Sequence, residues 1–220
     1  MRVIRLAHAA RGVRGIAHHS IPHDCVRFED VVRASHRIRS GIVRTPCEKS
    51  HWLSQTTGCN LYLKMEQQQF TGSFKERGGR NALLSLPESK RSAGVIAASA
   101  GNHALALSWH GPQLGVPVTV CMPTTAPMAK VEKCRAFGAD VVLHGAHILE
   151  AKAHAERSEF EGLRYINGYD DPEIIAGAGT MGMELLEQVP DAEVVVLPIG
   201  GAGLIAGVAL GSIGLIAGVA

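Results

Sequence analysis

Gly94-Val-Ile-Ala-Ala98, then Ser99-Ala-Gly-Asn-His103, then an unbroken stretch to Leu114, is the passage on which the fold turns. A short apolar run with β-branched residues, a Gly-containing turn and an apolar stretch too long for a strand read as strand, turn and helix. Outward from it the alternation repeats. Strands are predicted at Val116–Met122, Ala139–Leu143 and Arg164–Asn167, and helices at Asn102–Leu114, Ala126–Phe137, Ala146–Phe160 and Pro172–Gln188. Gly115 and Gly138 stand where a helix stops and a strand begins, and Asp170-Asp171-Pro172 opens the last of these helices. Strands separated by helices need crossover connections, hence a parallel sheet covered on both faces, an α/β fold.

The composition agrees. The chain has 220 residues, 46% hydrophobic and 19% charged, which excludes disordered, collagen-like and coiled-coil proteins. A formal charge of +2 is too balanced for a nucleic-acid or acidic-lipid partner. Cys25, Cys47, Cys59, Cys121 and Cys134 form no C-x-x-C pair, so free thiols in a reducing, cytoplasmic compartment are expected, without a zinc site. Residues 1–23 carry four arginines and no acid, and read as a leader, with a transit peptide as the alternative. From Val194 to Ala220 no residue is charged, which has the length of a membrane helix. Pro198 and Gly200-Gly201-Ala202-Gly203 interrupt it, so a buried parallel strand at Val194–Leu197, a Gly-rich turn and a helix are expected instead. Gly203–Ala209 recurs letter for letter as Gly214–Ala220, which points to a duplication, a frameshift or a truncated reading frame.

In open parallel sheets, ligands bind at the carboxyl ends of strands beside the following helix N-termini. The turns Ser99–His103 and Gly200–Leu204 both qualify, and each would present unpaired N–H groups to an anion. Lys75, in Gln69-Phe-Thr-Gly-Ser-Phe-Lys-Glu-Arg-Gly78, precedes an apparent helix. Taken alone it reads as a solvated lysine, but the helix dipole opposes its charge and favours the free amine that Schiff-base chemistry needs. Gly201-x-Gly203-x-x-Ala206 also matches a dinucleotide fingerprint, but the acid expected about 20 residues later is missing. For His144 and His147 the sequence identifies no carboxylate or thiolate partner, so they read as surface histidines and no metal site is expected.

Three ordered motifs, Thr71-Gly-Ser-Phe-Lys75-Glu-Arg-Gly, Ala98-Ser-Ala-Gly-Asn-His103 and Pro198-Ile-Gly-Gly-Ala-Gly-Leu204, resemble those of the fold-type II (tryptophan synthase β-like) pyridoxal-phosphate enzymes. Within that group the chain is most similar to the threonine/serine dehydratase and serine racemase branch. The resemblance runs from about Phe28 to Leu210 and implies two open parallel-sheet domains, the smaller at 69–166 and the larger, incomplete, at 24–68 with 167–220. It implies pyridoxal 5′-phosphate held covalently by Lys75, which would also remove the substrate Cα proton. Phe74 would pack beside the cofactor ring and Asn102 bond its 3′ oxygen. Gly200, Gly201, Ala202, Gly203 and Leu204 would cradle the phosphate. Ser99, Ala100, Gly101, Asn102 and His103 would hold the substrate carboxylate. The implied reaction is β-elimination of L-threonine or L-serine to a 2-oxo acid and ammonia, in a homo-oligomer serving amino-acid metabolism such as isoleucine biosynthesis.

Racemases of this branch carry a second serine where Ala100 stands, as the opposite-face proton donor, so the dehydratase reading is preferred. Ala202 replaces a family glycine, tolerable if its φ stays negative, and Ala178 and Gly79 also depart. The family's chain continues well beyond the position of Ala220. The alternative to an active lyase is therefore a truncated relative that binds the cofactor weakly or not at all.

Overall fold

Residues 25–157 and 162–216 are described in a computed structural model of the chain. The expected leader and the last four residues lie outside the described residues, and the helix predicted over Ala146–Phe160 is observed at Ile148–Ala155, with residues 158–160 of that range outside them as well.

Local signals start and stop the helices where the sequence places them. α1 (Phe28–Ile38) begins where Asp30 accepts the Arg27 N–H at 2.8 Å. The chain then runs through β1 (Cys47–Lys49), α2 (His51–Thr57), β2 (Tyr62–Lys64) and a 3-10 turn at Glu66–Gln68. Ser50 caps α2, Gly58 ends it in the left-handed conformation, and β1 and β2 pair antiparallel. Next come α3 (Lys75–Leu84), α4 (Glu88–Arg91), β3 (Val95–Ala98), α5 (Asn102–Gln113), β4 (Val118–Met122), α6 (Met128–Ala136), β5 (Asp140–Leu143), α7 (Ile148–Ala155), β6 (Arg164–Tyr165), α8 (Pro172–Gln188) and α9 (Gly203–Ile216). The Asp171 carboxylate accepts the Glu173 N–H at 2.9 Å and caps α8 as expected.

Four strands form one parallel sheet in the order β5-β4-β3-β6, with Val95 opposite Val118 and Val120 opposite Val141. Alternation along the strands divides the core. Val95, Ala97, Val120 and Met122 pack with Leu83 of α3, Leu105 and Leu107 of α5 and Val131 of α6. Ile96 and Cys121 point to the other face, against Ala151 and Ala155 of α7. The α/β fold with a covered parallel sheet is thus the one observed.

Beyond the sheet, α8 packs against α1, α3 and α9. A Cβ on Gly177 would lie 2.5 Å from the Arg77 carbonyl, and one on Gly211 2.1 Å from the Gly179 carbonyl, so α8 meets α3 and α9 backbone to backbone. No helix among the described residues is long and apolar enough to cross a membrane.

One expected strand is not formed. Val194–Leu197 has no ladder partner among the described residues, and Val196 is 89% exposed. Leu197 alone packs inward, near Leu204 and Val208. A β-branched run has the propensity, but a parallel strand exists only where a neighbour supplies its hydrogen bonds.

Candidate active site

The Lys75 segment is tightly built. The Gln69 side chain bonds both the N–H and the carbonyl of Val43, at 3.1 and 2.8 Å. Gly72, at φ +84°, lets the chain reverse and donates to the Gln69 carbonyl. Lys75 then opens α3, its Nζ donating to the Gly168 carbonyl and lying 5.2 Å from the Phe74 ring centroid. Burial pushes the Lys75 amine below the ordinary lysine range. The direction is the one the sequence suggests, but desolvation rather than the helix terminus causes it.

Two residues on, Arg77 is buried between carboxylates. Its guanidinium makes paired 2.8 Å bonds to Glu66 and to Glu184 and reaches Thr180 at 3.1 Å. Glu184 also accepts from Lys64 at 2.5 Å, and Glu66 from Thr45 at 2.6 Å. Burial acts to raise the Glu66 carboxyl, but bonding to Arg77, its charge and the Thr45 hydroxyl more than offset this and hold it below the usual range. The network ties α3 to the 3-10 turn, β2 and α8, and so fixes where Lys75 starts. A cavity of about 360 Å³ lies on this side, lined by His36, Arg39, Arg77 and Glu184.

The turn after β3 is open at its tip and anchored beneath. Ser99 Oγ accepts the Gly101 N–H at 3.2 Å, and a Cβ on Gly101 would meet nothing. α5 has no side-chain cap, and the N–H groups of Asn102, His103 and Ala104 have no acceptor among the described residues. Asn102 is exposed, whereas Ala100 packs against the core. The His103 ring is buried, with Nε2 donating to the Ile166 carbonyl at 3.2 Å. Because a carbonyl only accepts, Nδ1 carries the lone pair, and it has no partner. Burial, with Lys75 adding repulsion, lowers His103 to about 4, so the ring is neutral at neutral pH.

Within Gly200–Leu204, Gly201 and Gly203 face Tyr169. A Cβ on Gly201 would lie 2.2 Å from Tyr169 Cγ, and one on Gly203 2.1 Å from the Tyr169 carbonyl oxygen. Ala202 has φ +63°, the single non-glycine residue in the left-handed region among those described, so the expected negative φ is corrected. Both of its glycine neighbours sit tightly on Tyr169. The first bond of α9 is Ala206 N–H to the Ala202 carbonyl, leaving the N–H groups of Gly203, Leu204 and Ile205 without acceptors among the described residues. Leu204 is buried with Ala178, Met181 and Val208, a cluster that Phe74 also touches.

The sequence reading missed the element that joins these parts, the loop Asn167-Gly168-Tyr169-Asp170. Gly168 accepts from Lys75 and rests on His103, while Tyr169 carries the Gly-rich turn. Adjacent Cα atoms are about 3.8 Å apart, so the three motifs meet on two residues. Asn167 Oδ1 shapes the loop by accepting from Tyr169 N at 3.1 Å and Asp170 N at 3.3 Å. The available signal was an Asn-Gly pair after a strand.

The parts suit an aldehyde-bearing phosphate cofactor. Free N–H groups at the start of α9 suit a phosphate. A desolvated amine suits the aldehyde. The Thr71 and Ser73 hydroxyls and His103 Nδ1, buried and unpartnered, leave hydrogen bonds for bound molecules to complete.

Comparison with known proteins agrees with this geometry. L-threonine ammonia-lyase of Thermotoga maritima is 44% identical over 84% of this chain and 46% of its own length. Threonine deaminase isoform 2 of Solanum lycopersicum superposes with a TM-score of 0.81 at 42% identity, covering 86% of this chain and 53% of that one. Maize serine racemase superposes at 0.83 and 34% identity, covering 86% and 58%. The chain spans about half the length of the curated relatives it matches. Residues 38–217 match the family of pyridoxal-phosphate dependent enzymes, and with the site just described this chain belongs to that family.

Proposed function

We propose that this chain carries the lysine-bearing part of a threonine ammonia-lyase, converting L-threonine, or L-serine, to 2-oxobutanoate, or pyruvate, and ammonia. The observation that carries the reading is the convergence of Lys75, the start of α5 and the Gly200–Leu204 turn on Gly168 and Tyr169. The similarity to enzymes named threonine ammonia-lyase and threonine deaminase supports the choice of substrate.

Pyridoxal 5′-phosphate, when bound, supplies an electron sink for the bonds at the substrate Cα. The protein's residues supply the rest. Lys75 is the covalent attachment point and the base that takes the Cα proton, a role favoured by its depressed basicity. Phe74, packed against the Leu204 cluster, braces one side of the ring site. The N–H groups of Gly203 and Leu204 hold the phosphate, and exposed Asn102 bonds the ring's 3′ oxygen. The Gly101 N–H is taken by Ser99 Oγ, so Asn102 and His103 provide the free N–H groups for the substrate carboxylate. Ala100 has no proton to donate, which weighs against racemisation.

The division into a smaller domain, 69–166, and a larger one, 24–68 with 167–220, is part of the same proposal. The buried cluster around the sheet takes in Ile174 of α8, and Phe74 packs against the cluster around Leu204, so the two parts share contacts across that boundary. A homo-oligomer and a cytoplasmic location belong to the same proposal.

The test is the visible spectrum of the purified chain titrated with pyridoxal 5′-phosphate, followed by a threonine assay. A one-to-one band abolished by borohydride and by Lys75→Ala, with 2-oxobutanoate and ammonia formed in equal amounts, is expected. A folded chain without the band overturns the proposal in favour of a non-catalytic relative. The band without turnover restricts the chain to cofactor binding.

A further inference from the structure

Glu76 follows Lys75 in the chain, yet its side chain is completely buried. An acid in that position needs partners on every side. One carboxylate oxygen accepts the Thr71 N–H and closes the turn that carries Gly72, Ser73, Phe74 and Lys75. The other lies 3.2 Å from Nε2 of His110 on α5, also fully buried, although neither atom is satisfied by a well-directed hydrogen bond.

The tautomer of His110 follows from its other nitrogen. His110 Nδ1 lies 3.4 Å from a guanidinium nitrogen of Arg80. Arginine has only donors, so Nδ1 accepts and Nε2 carries the hydrogen that faces Glu76. Burial keeps His110 below its ordinary range, Glu76 opposing and Arg80 reinforcing the shift. Arg80, His110, Glu76 and the Thr71 N–H therefore form one chain of contacts that ends in the turn before Lys75, its His110–Glu76 step a 3.2 Å approach.

We propose that Glu76 is a positioning residue for Lys75, braced by His110 and acting through the Thr71 turn. Successive helical side chains diverge by about 100°, so anchoring Glu76 against α5 sets the rotation of the first turn of α3. That rotation decides the direction in which Lys75 leaves toward Gly168. The inference rests on the reading of Lys75 as the reactive amine, and it adds a residue whose effect is on the amine's surroundings rather than on the reaction itself. Desolvation is what lowers Lys75, and Lys75 in turn adds repulsion to the neighbouring His103, whose ring is neutral at neutral pH.

The test is competitive acetylation of Lys75 with acetic anhydride over a pH series in the full chain, read by peptide mass. Glu76→Ala is expected to raise the labelling midpoint toward that of an ordinary lysine by about one unit, a roughly tenfold loss of free amine at neutral pH. Glu76→Gln keeps an oxygen for the Thr71 N–H but turns an NH2 donor toward the Nε2–H of His110, so it is expected to raise the midpoint by less than Glu76→Ala. Leu107→Ala, a core change on α5, controls for lost stability and is expected to leave the midpoint unmoved. An unmoved midpoint in Glu76→Ala, or a Gln variant that behaves like Ala, reduces Glu76 to a structural residue and overturns the proposal. If Glu76→Ala does not fold, Glu76→Asp replaces it. Its shorter carboxylate is expected to raise the midpoint, and an unchanged value again overturns the role. The labelling uses no pyridoxal phosphate, so failed cofactor uptake counts against the proposed function without touching this result.

Discussion

Gly168 lies flat on the imidazole of His103: a Cβ added to Gly168 would be 2.7 Å from His103 Cγ. The carbonyl of the same residue accepts from Lys75. A buried histidine thus sets the depth of the loop on which the reactive lysine rests.

Gly168→Ala should separate the two. The histidine is 5% exposed and cannot retreat, so overpacking of about 1–3 kcal/mol is expected. Urea midpoints would show the loss, and spectral titration with pyridoxal 5′-phosphate should show weakened uptake. Unchanged values in both would mean that the loop is not held by this contact.

Ala202→Gly should stabilise the chain. An L-residue at φ +63° costs roughly 1–2 kcal/mol, and glycine removes that while losing about 1 kcal/mol or less to backbone entropy. A small rise in melting temperature is expected, and Ala202→Val should lower it. A fall in Ala202→Gly would show that the turn does not hold this conformation.

His103 links stability to pH. Its folded value of about 4 lies below its ordinary 6.5, so between them the unfolded chain binds the proton and the folded chain does not. Its contribution is complete above pH 6.5 and is lost as pH falls toward 4, on the order of 3 kcal/mol in all. His110 shifts in the same direction, so the comparison is with His103→Asn, which should show a shallower loss of urea midpoint over that window. Parallel curves for the two proteins would refute the assignment.

Arg77→Met should be severe. It leaves Glu66 and Glu184 facing each other without their shared cation, a loss of about 3–5 kcal/mol. Arg77→Lys cannot make both paired contacts and should recover only part of the loss. Denaturant unfolding of the two variants tests this, and a near-neutral Met variant would show that the network contributes little.

Much of this architecture is written locally. The strand at Val95–Ala98, the helix from Asn102, the Asp171 cap and the helix after Gly203 were legible because periodicity, caps and turn residues act over a few positions. The candidate residues Lys75, Asn102 and Gly200–Leu204 took their roles from the resemblance of their motifs to a family, and the structure places them at the starts of α3, α5 and α9. Val194–Leu197 shows the limit, since its strand-like residues acquire no partner among the described residues.

The sequence by itself determined the α/β class, the order of elements from Val95 to Gln188 and the three motifs. Tertiary structure alone decided that those motifs meet on Gly168 and Tyr169, that Ala202 turns left-handed, that burial lowers the Lys75 amine, and that Glu76 is backed by His110. Each of these depends on groups far apart in the chain, 93 positions in the case of Lys75 and Gly168. Desolvation and close approach arise when distant segments pack, and no local pattern of residues carries that information.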